Sequence, residues 1–501
     1  MTDIRHTLVS GATRSGKSEA ELSRLVADAR RNDCAIALFD PPGTLARRFL
    51  LHLDFLGLTR RVVYDRLSDT ERVPSYDWLV RSQNPDPLQR EAENEERVRE
   101  FASVLLRRRG ILDTASRPLI EETIFAALRL YLATDSPPPL PWLADAFDLR
   151  SERRRHLIAH CAEPDLIAKF REFGCLSPTA RRTETAPAER VLRAVLGSPA
   201  FRVRCGEATL DIGRFLDGCG ILIIDGSSRG NLSRDAATVM MGALILRVIA
   251  HCRTGGKSRV SVVIDEATAA NLIGLYESQA LAEAGKWGLE FRILVQDPFS
   301  FPSAEIRSNV LQNCWRHEWF RQGSPEAARL AAEDIATPLL DPLHVHHVEE
   351  RPRTVVEGFD RVTTYGSSAS RDSGGRKTKT KSRHTVLWPR RREVFDAQER
   401  YTTLADQIAL AQRELMQLGP GYRFVRDDAV TPAPEFVPML SDPWSAGDSG
   451  GGLPSGLAEV KFRMALHAIR ERPVYRPPVQ FDHNPSDDPS PAAAHRLAAL
   501  R

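Results

Sequence analysis

The stretch Gly11-Ala12-Thr13-Arg14-Ser15-Gly16-Lys17-Ser18 constrains this chain more than any other eight residues. It fits G-x-x-x-x-G-K-[ST] and stands in the context that the pattern needs: a short strand (Ile4–Ser10) before it and a helix opening at Ser18. In such a loop the glycines let backbone N–H groups curl round phosphate oxygens at the positive end of a helix. The candidate nucleotide-binding residues are Gly11, Ala12, Thr13, Arg14, Ser15, Gly16, Lys17, Ser18 and Glu19. Lys17 is spaced to reach the β- and γ-phosphates of ATP, and Ser18 to ligate Mg2+. A second Gly-Lys-Ser, at Gly256-Lys257-Ser258, has His251 where the first glycine belongs and reads as a turn before a strand.

The segments around this loop alternate in type. Cys34–Phe39 reads as a buried strand ending in Asp40-Pro41-Pro42-Gly43, a helix follows to Leu50, and Arg61–Tyr64 is another strand. Such alternation marks a mainly parallel α/β sheet flanked by helices. From about residue 86 the pattern becomes helical, with Ile120, Ile124, Leu128 and Tyr131 on one face. The α/β pattern resumes near Phe201. The expected organisation is a P-loop ATPase core at 1–85 and 201–431, an all-α insertion at 86–200, and a Pro/Gly/Ser-rich tail at 432–501, partly disordered around a short helix near 457–471. A further helix is expected at Thr402–Leu418.

Val260–Ile264 is an apolar strand that ends in Asp265-Glu266. A strand tip beside a P-loop is where a metal-organising carboxylate belongs, so Asp265 joins Ser18 as a candidate Mg2+ ligand. Glu266 is the candidate general base for an attacking water. Gln296 ends the next strand, Ile293–Val295, and is a candidate contact to the γ-phosphate or that water. The catalytic candidates are thus Glu266, Lys17 and Gln296. Asp225 ends a further apolar strand, and the loop Gly226–Asn231 behind it carries Arg229 as a candidate DNA contact.

Composition sets outer bounds. The 501 residues allow about two to four domains of roughly 100–200 residues. No run of about 18 apolar residues occurs; Ala236–Ala250 is shorter and contains Arg247. The N-terminus opens straight into the nucleotide motif without a charged region and cleavage site, so a cytoplasmic location is expected, with recruitment to the inner membrane only through a partner. A net charge of +3 means that any DNA binding must come from local patches. The seven cysteines form no C-x-x-C pair and read as buried free thiols.

The order of P-loop, Asp40-Pro41-Pro42-Gly43-Thr44-Leu45, helical insertion, Gly220–Gly230, Asp265-Glu266 and Gln296 resembles the HerA/FtsK-like P-loop motor superfamily. Within it the residues look most like the type IV coupling proteins of conjugation and secretion, the TraG/TraD-like ATPases. The resemblance covers about residues 4–425. It implies a RecA-like motor assembled as a hexamer round DNA, with ATP and Mg2+ bound at subunit interfaces and a basic residue supplied by the neighbour. Two departures stand out. Such proteins usually carry N-terminal transmembrane helices, which are not seen here, and they often have R-K-x-G before the glutamine strand, where this chain has Gly285-Lys286-Trp287-Gly288. Lys286, Arg307 and Arg321 are the candidate basic residues acting in trans.

Three readings follow. The first is a soluble coupling-protein-like translocase with DNA and a membrane-anchored secretion or relaxosome component as partners. The second is a HerA-like DNA-processing or defence ATPase working with a nuclease. The third is a nucleotide-gated switch without translocation. Among weaker signals, a basic loop is expected at 366–392. Its part Arg376–Arg392 holds eight Lys/Arg and no carboxylate, with Arg376, Lys377, Lys379 and Lys381 as candidate DNA contacts. Trp315 and Trp319 are spaced for one face of a helix. His344, His346 and His347 lack the further ligands that a metal site needs.

Overall fold

The computed structural model describes residues 4–107, 117–135, 137–227, 232–268, 271–336, 345–401, 403–426, 434–437 and 455–475. The chain divides into two compact units, Met1–Ala331 with Arg413–Arg501, and Ala332–Gln412.

The first unit is built on one sheet. Its strands are β1 (Thr7–Ser10), β2 (Ala35–Asp40), β3 (Val62–Arg66), β4 (Ile221–Asp225), β5 (Val260–Ile264), β6 (Leu289–Val295) and β7 (Arg316–Trp319). The second unit contributes β8 (Val345–Arg371) and β9 (Lys377–Tyr401), and the first unit closes with β10 (Tyr422–Arg426) and β11 (Pro434–Phe436). The nine strands of the main sheet lie in the order β11-β10-β7-β1-β6-β5-β2-β4-β3. The seven from β7 to β3 are parallel, and β10 and β11 extend the β7 edge antiparallel. All residues of β2, β4 and β5 are buried, which is why these strands read as continuous apolar runs rather than alternating ones.

Register decides where the strands end. Ser10 pairs with Val295, Ile264 with both Ile293 and Phe39, and Asp40 with Asp225. Five strands therefore finish at nearly one level, and the polar residues that follow them share the carboxyl edge of the sheet, where open α/β sheets place their ligands.

Between β3 and β4 the described chain is helical, from Pro87–Leu105 through Arg117–Leu132 and Ala186–Leu196 to Ile212–Asp217. Several of these helices open on a capped proline turn. Asp86 accepts the Leu88 N–H, Ser177 that of Ala180 and Ser198 that of Phe201, each followed by proline at the first helical position. Arg204 ties this segment to the sheet. Its guanidinium is fully buried and reaches Asp65 on β3 through Nη2–Oδ1 at 2.6 Å and Nε–Oδ2 at 2.9 Å.

The helix Arg234–Arg253 has 20 residues and is long and apolar enough to cross a membrane, more than the 236–250 stretch suggests. It is mostly buried inside the protein, as a core helix of a large α/β unit is. Part of the expected tail is also core. The helix Ser455–Arg470 buries Phe462 edge-on to Tyr64 at 5.7 Å, and the Tyr64 N–H donates to the Tyr475 hydroxyl at 2.8 Å. Residues 438–454 and 476–501 lie outside the described residues.

Two local expectations are corrected. Segment 366–392 is not a loop: it forms the distal part of the β8–β9 antiparallel hairpin, which turns at Asp372–Arg376. Its glycines and serines suggest a loop, but the cations alternate with threonine and serine, a strand period. Trp315 and Trp319 are not on a helix either. Residues 316–319 are β7, with Trp319 buried and Trp315 exposed. The spacing of four does not discriminate, since it falls on one face of a strand as well as of a helix, and pairing with β1 makes 316–319 a strand. Within it Glu318 is buried and held by Arg24, by Arg316 Nε at 2.7 Å and by Arg423 Nη1 at 2.6 Å. His344 lies outside the described residues, and no group of three or more potential ligands that could hold a metal ion occurs among the described ones.

Candidate nucleotide site

The loop after β1 is held in shape by its neighbours. The Gly11 N–H donates to the Val295 carbonyl at the end of β6 (3.2 Å), and the Ala12 N–H donates to the Arg321 carbonyl just past β7 (2.7 Å). These two residues therefore anchor the loop, while Thr13 and Arg14 form its exposed crown, with Arg14 at φ 61°. Gly11 cannot carry a side chain, because a Cβ there would stand 2.6 Å from Phe320 Cβ. Gly16 has φ 104°, a left-handed geometry that suits glycine. Its would-be Cβ meets Gly421, whose N–H donates to the Ser15 carbonyl at 3.0 Å. The loop is thus backed by a segment four hundred residues away. The Pro420-Gly421 turn signal was present in the sequence, but nothing in it pointed to this contact.

The helix Lys17–Arg31 begins without a side-chain cap, and the Ser15 hydroxyl is buried with no partner. The Lys17 ammonium is buried and donates to the carbonyls of Gly11 and Ala12, the latter at 3.2 Å. Burial pulls its pKa below the usual lysine range, while Asp265 and Glu266 act to raise it. Glu19 forms an ion pair with Arg48 on the next helix, Thr44–Phe55.

The carboxylates lie beside this loop. Ser18 Oγ is 3.5 Å from Asp265 Oδ2, longer than a direct hydroxyl–carboxylate bond of about 2.5–3.0 Å. Asp265 is buried. Burial and then the neighbouring Glu266 push its pKa up to about 6, against the pull of Lys17 and of the Glu266 N–H, which donates to Oδ1 at 3.0 Å. Glu266 turns away from the strand direction at φ 46°, which costs a non-glycine residue about 1–2 kcal/mol. That turn brings its Oε1 to Gln296 Nε2 at 2.7 Å. Strand β6 runs between β1 and β5, so Gln296 stands between the P-loop strand and the strand that carries the carboxylates.

Farther along the same edge lie Asp40 and Asp225. Asp40 is fully buried, accepts the Ala46 N–H at 2.7 Å through Oδ2, and leaves Oδ1 without a partner. Burial, then Asp265, hold its carboxyl well above the usual range. Asp225 accepts from the Tyr64 hydroxyl (2.6 Å), Arg66 Nε (3.1 Å) and the Ser227 N–H (2.9 Å). Its oxygens are thus engaged by β3 and by its own loop, with Oδ1 lying against Gly43 of the Asp40-Pro41-Pro42-Gly43 turn. Gln322 was not singled out by sequence. It is buried, and its side chain bonds both the hydroxyl (3.1 Å) and the carbonyl (3.2 Å) of Ser10, the last residue before the loop.

The remaining candidates are dispersed. Arg321 stands at the level of the P-loop. Arg307 lies on the helix Ala304–Asn313 with its guanidinium 4.6 Å over Phe299. Lys286 is exposed before the amino end of β6, at the opposite edge of the sheet from Lys17. Arg229 falls outside the described residues. Arg376, Lys377, Lys379 and Lys381 belong to the other unit, on the exposed hairpin.

As a fit test for a nucleotide and its cation, the unpartnered Ser15 hydroxyl, the uncapped helix start and the Ser18–Asp265 oxygen pair suit a phosphate chain and a hard divalent ion with oxygen ligands.

No protein-family model and no curated protein sequence matches the chain. Solved structures do match. An unbound monoclinic form of the bacterial conjugative coupling protein TrwBdeltaN70 superposes with a TM-score of 0.52 at 16% identity, over 87% of this chain and 85% of that one. The plasmid coupling protein TrwB with the GTP analogue GDPNP gives 0.52 at 15% identity, over 87% and 86%. TrwB with ADP and Mg2+ gives 0.52 at 16% identity, over 87% of each chain. With a mainly parallel sheet, a P-loop at the end of β1 and helices between β3 and β4, the chain has the fold of a conjugative coupling protein of the TrwB kind.

Proposed function

We propose that this chain is a Mg2+-dependent ATPase that turns hydrolysis into movement of DNA, working as a ring of six in the manner of the coupling proteins it resembles. One observation carries the reading. Lys17, Asp265, Glu266 and Gln296 come from three neighbouring strand ends and converge, with Gln296 bonded to Glu266 and Ser18 beside Asp265. On this reading the loop from Thr13 to Ser18 holds the triphosphate, and Lys17 leaves its own loop carbonyls for the β- and γ-phosphates. Ser18 and Asp265 would hold Mg2+, which when bound offsets negative charge on the phosphate chain. Glu266 accepts the proton of the attacking water, and Gln296 fixes the direction in which that carboxylate points.

The solved TrwB complexes contain GDPNP, or ADP with Mg2+, which supports a nucleotide and a divalent cation at the equivalent place in this chain. Its partners on this reading are DNA, further copies of itself and a membrane-anchored secretion or relaxosome component, which would bring a cytoplasmic protein to the inner membrane. Arg321, at the level of the P-loop, fits a role across a subunit interface better than Lys286, which sits at the far edge of the sheet.

The test is the steady-state ATPase rate with Mg2+, without DNA, with single-stranded DNA and with duplex DNA, using Glu266→Gln as the blank. Stimulation by DNA that vanishes in the variant is the expected result. Turnover that ignores both forms of DNA would overturn the motor and favour a nucleotide-gated switch.

A further inference from the structure

The β8–β9 hairpin has two chemically different faces. Directly opposite residues share a face, and the register pairs Arg371 with Lys377, Ala369 with Lys379, Ser367 with Lys381 and Tyr365 with Arg383. Counting on in twos adds Arg361, so Arg361, Arg371, Lys377, Lys379, Lys381 and Arg383 all stand on one side. The contact of the Arg383 guanidinium with the Tyr365 ring, 5.9 Å from its centroid, agrees with that assignment. The opposite side of the same stretch holds Ser368, Ser370, Thr378, Thr380 and Ser382. The basic side carries no carboxylate between Arg361 and Lys377, and none of its six cations forms an ion pair among the described residues. Every residue from 364 to 388 is exposed.

Six cations without an ion pair on one face of an exposed ribbon repel one another, and only Arg383, over the Tyr365 ring, gains a contact from the fold. A partner of opposite charge removes that cost. The ten residue steps from Arg361 to Arg371 span about 34 Å, which matches one turn of duplex DNA at about 34–36 Å. A two-stranded ribbon is also one of the two protein elements that the major groove admits. The short Ser/Thr side opposes no charge to a second phosphate wall. We infer that the basic face of the β8–β9 hairpin is a duplex-DNA contact, seated along the groove and made through phosphates, hence without sequence preference. The inference rests on the reading of the chain as a DNA motor and supplies the surface that grips the substrate.

The experiment measures binding of the full-length protein to a fluorescent 30-base-pair duplex of arbitrary sequence, over a series of salt concentrations. It compares three proteins. The first is wild type. The second carries Lys377→Thr, Lys379→Thr, Lys381→Thr and Arg383→Thr, changes that suit a strand. The third is transposed, with Lys379→Thr, Thr380→Lys, Lys381→Ser and Ser382→Lys, so that net charge is unchanged while two cations move to the other face. The neutral variant is expected to lose at least about tenfold in affinity and to lower the slope of log K against log salt by roughly 3–4. The transposed variant is expected to lose slope by about 2.

Wild-type slope in the neutral variant would overturn the assignment and leave the face to an acidic protein. Wild-type slope in the transposed variant would show that charge alone matters and overturn the two-faced ribbon. A slope change seen only with a single-stranded 30-mer would overturn the duplex. The motor reading fails separately. Hairpin-dependent DNA binding with an ATPase rate deaf to DNA sinks the motor and keeps the contact, whereas DNA-stimulated turnover with hairpin-independent binding does the reverse.

Discussion

Gln296 Nε2 donates to Glu266 Oε1 at 2.7 Å, and the two residues follow adjacent strands of one parallel sheet. Glu266 reaches that bond only by leaving its strand at φ 46°. The carboxylate is therefore aimed by a neighbour rather than by its own backbone run. Glu266→Gln is expected to lower kcat by about 10²–10⁴-fold, the range of a positioned general base. Gln296→Ala keeps the base but frees its direction, so a smaller fall in kcat with KM for ATP little changed is expected. Steady-state kinetics under saturating Mg2+, together with ATP affinity by equilibrium titration, separates the two. Equal affinity and equal kcat in Gln296→Ala would remove the positioning role.

Gly43 occupies a place no other residue can share. It has φ 77°, and a Cβ would stand 2.2 Å from Asp225 Oδ1 and 2.9 Å from Ser227 Cβ. Asp225 cannot retreat, because Tyr64 and Arg66 hold its other oxygen. Gly43→Ala is expected to destabilise the protein by more than about 2 kcal/mol, through steric overlap and a strained backbone together. Urea unfolding followed by far-UV circular dichroism measures it, and a midpoint equal to wild type would contradict the turn as described.

The P-loop and Asp265-Glu266 were legible because each is a local pattern: fixed spacing in the first case, an apolar strand running into carboxylates in the second. Asp40 was legible as a turn residue, but its buried, unpartnered Oδ1 was not, since that follows from β2 lying beside β4 and β5. The contacts that Gln322 and Gly421 make with the loop were invisible for the same reason, being created by pairing between distant strands and a late turn. A short helix near 457–471 was expected from the sequence, yet nothing local said that Phe462 and Tyr475 would pack against Tyr64. The hairpin shows the opposite failure. Its alternation of cation with Thr or Ser was in view, but Gly/Ser content outweighed it because no apolar face marked a strand.

Asp65 and Arg204 form a pair with no access to water. The Tyr76 hydroxyl adds a bond to Asp65 Oδ2 at 2.8 Å, and Arg204 also donates to the Ala200 carbonyl at 2.7 Å. Removing one partner strands the other charge in the interior. Arg204→Met is therefore expected to cost about 3–5 kcal/mol. The double variant Arg204→Met with Asp65→Leu is expected to be less destabilised than the two single variants summed, since neither charge is then left alone. Chemical denaturation of the full cycle checks it, and strict additivity would mean that the pair is not coupled.

Glu100 gives stability a pH dependence of known sign. It is buried on the helix Pro87–Leu105, and its pKa is pushed up to about 7, by burial first, against the pull of Arg253 Nη2 at 3.3 Å. The unfolded chain releases this proton near the ordinary value of 4.5, the folded protein only near 7. Between those values the folded state binds more protons, so stability falls as pH rises through the window. The loss from this one group is expected to reach about 3 kcal/mol by pH 8. Glu100→Gln carries no such proton, so its stability relative to wild type should be higher at pH 8 than at pH 4.5. Urea unfolding of both proteins at pH 4.5, 6 and 8 measures the difference. A constant gap between the two curves would show that Arg253 keeps Glu100 ionised throughout, and that burial does not govern it.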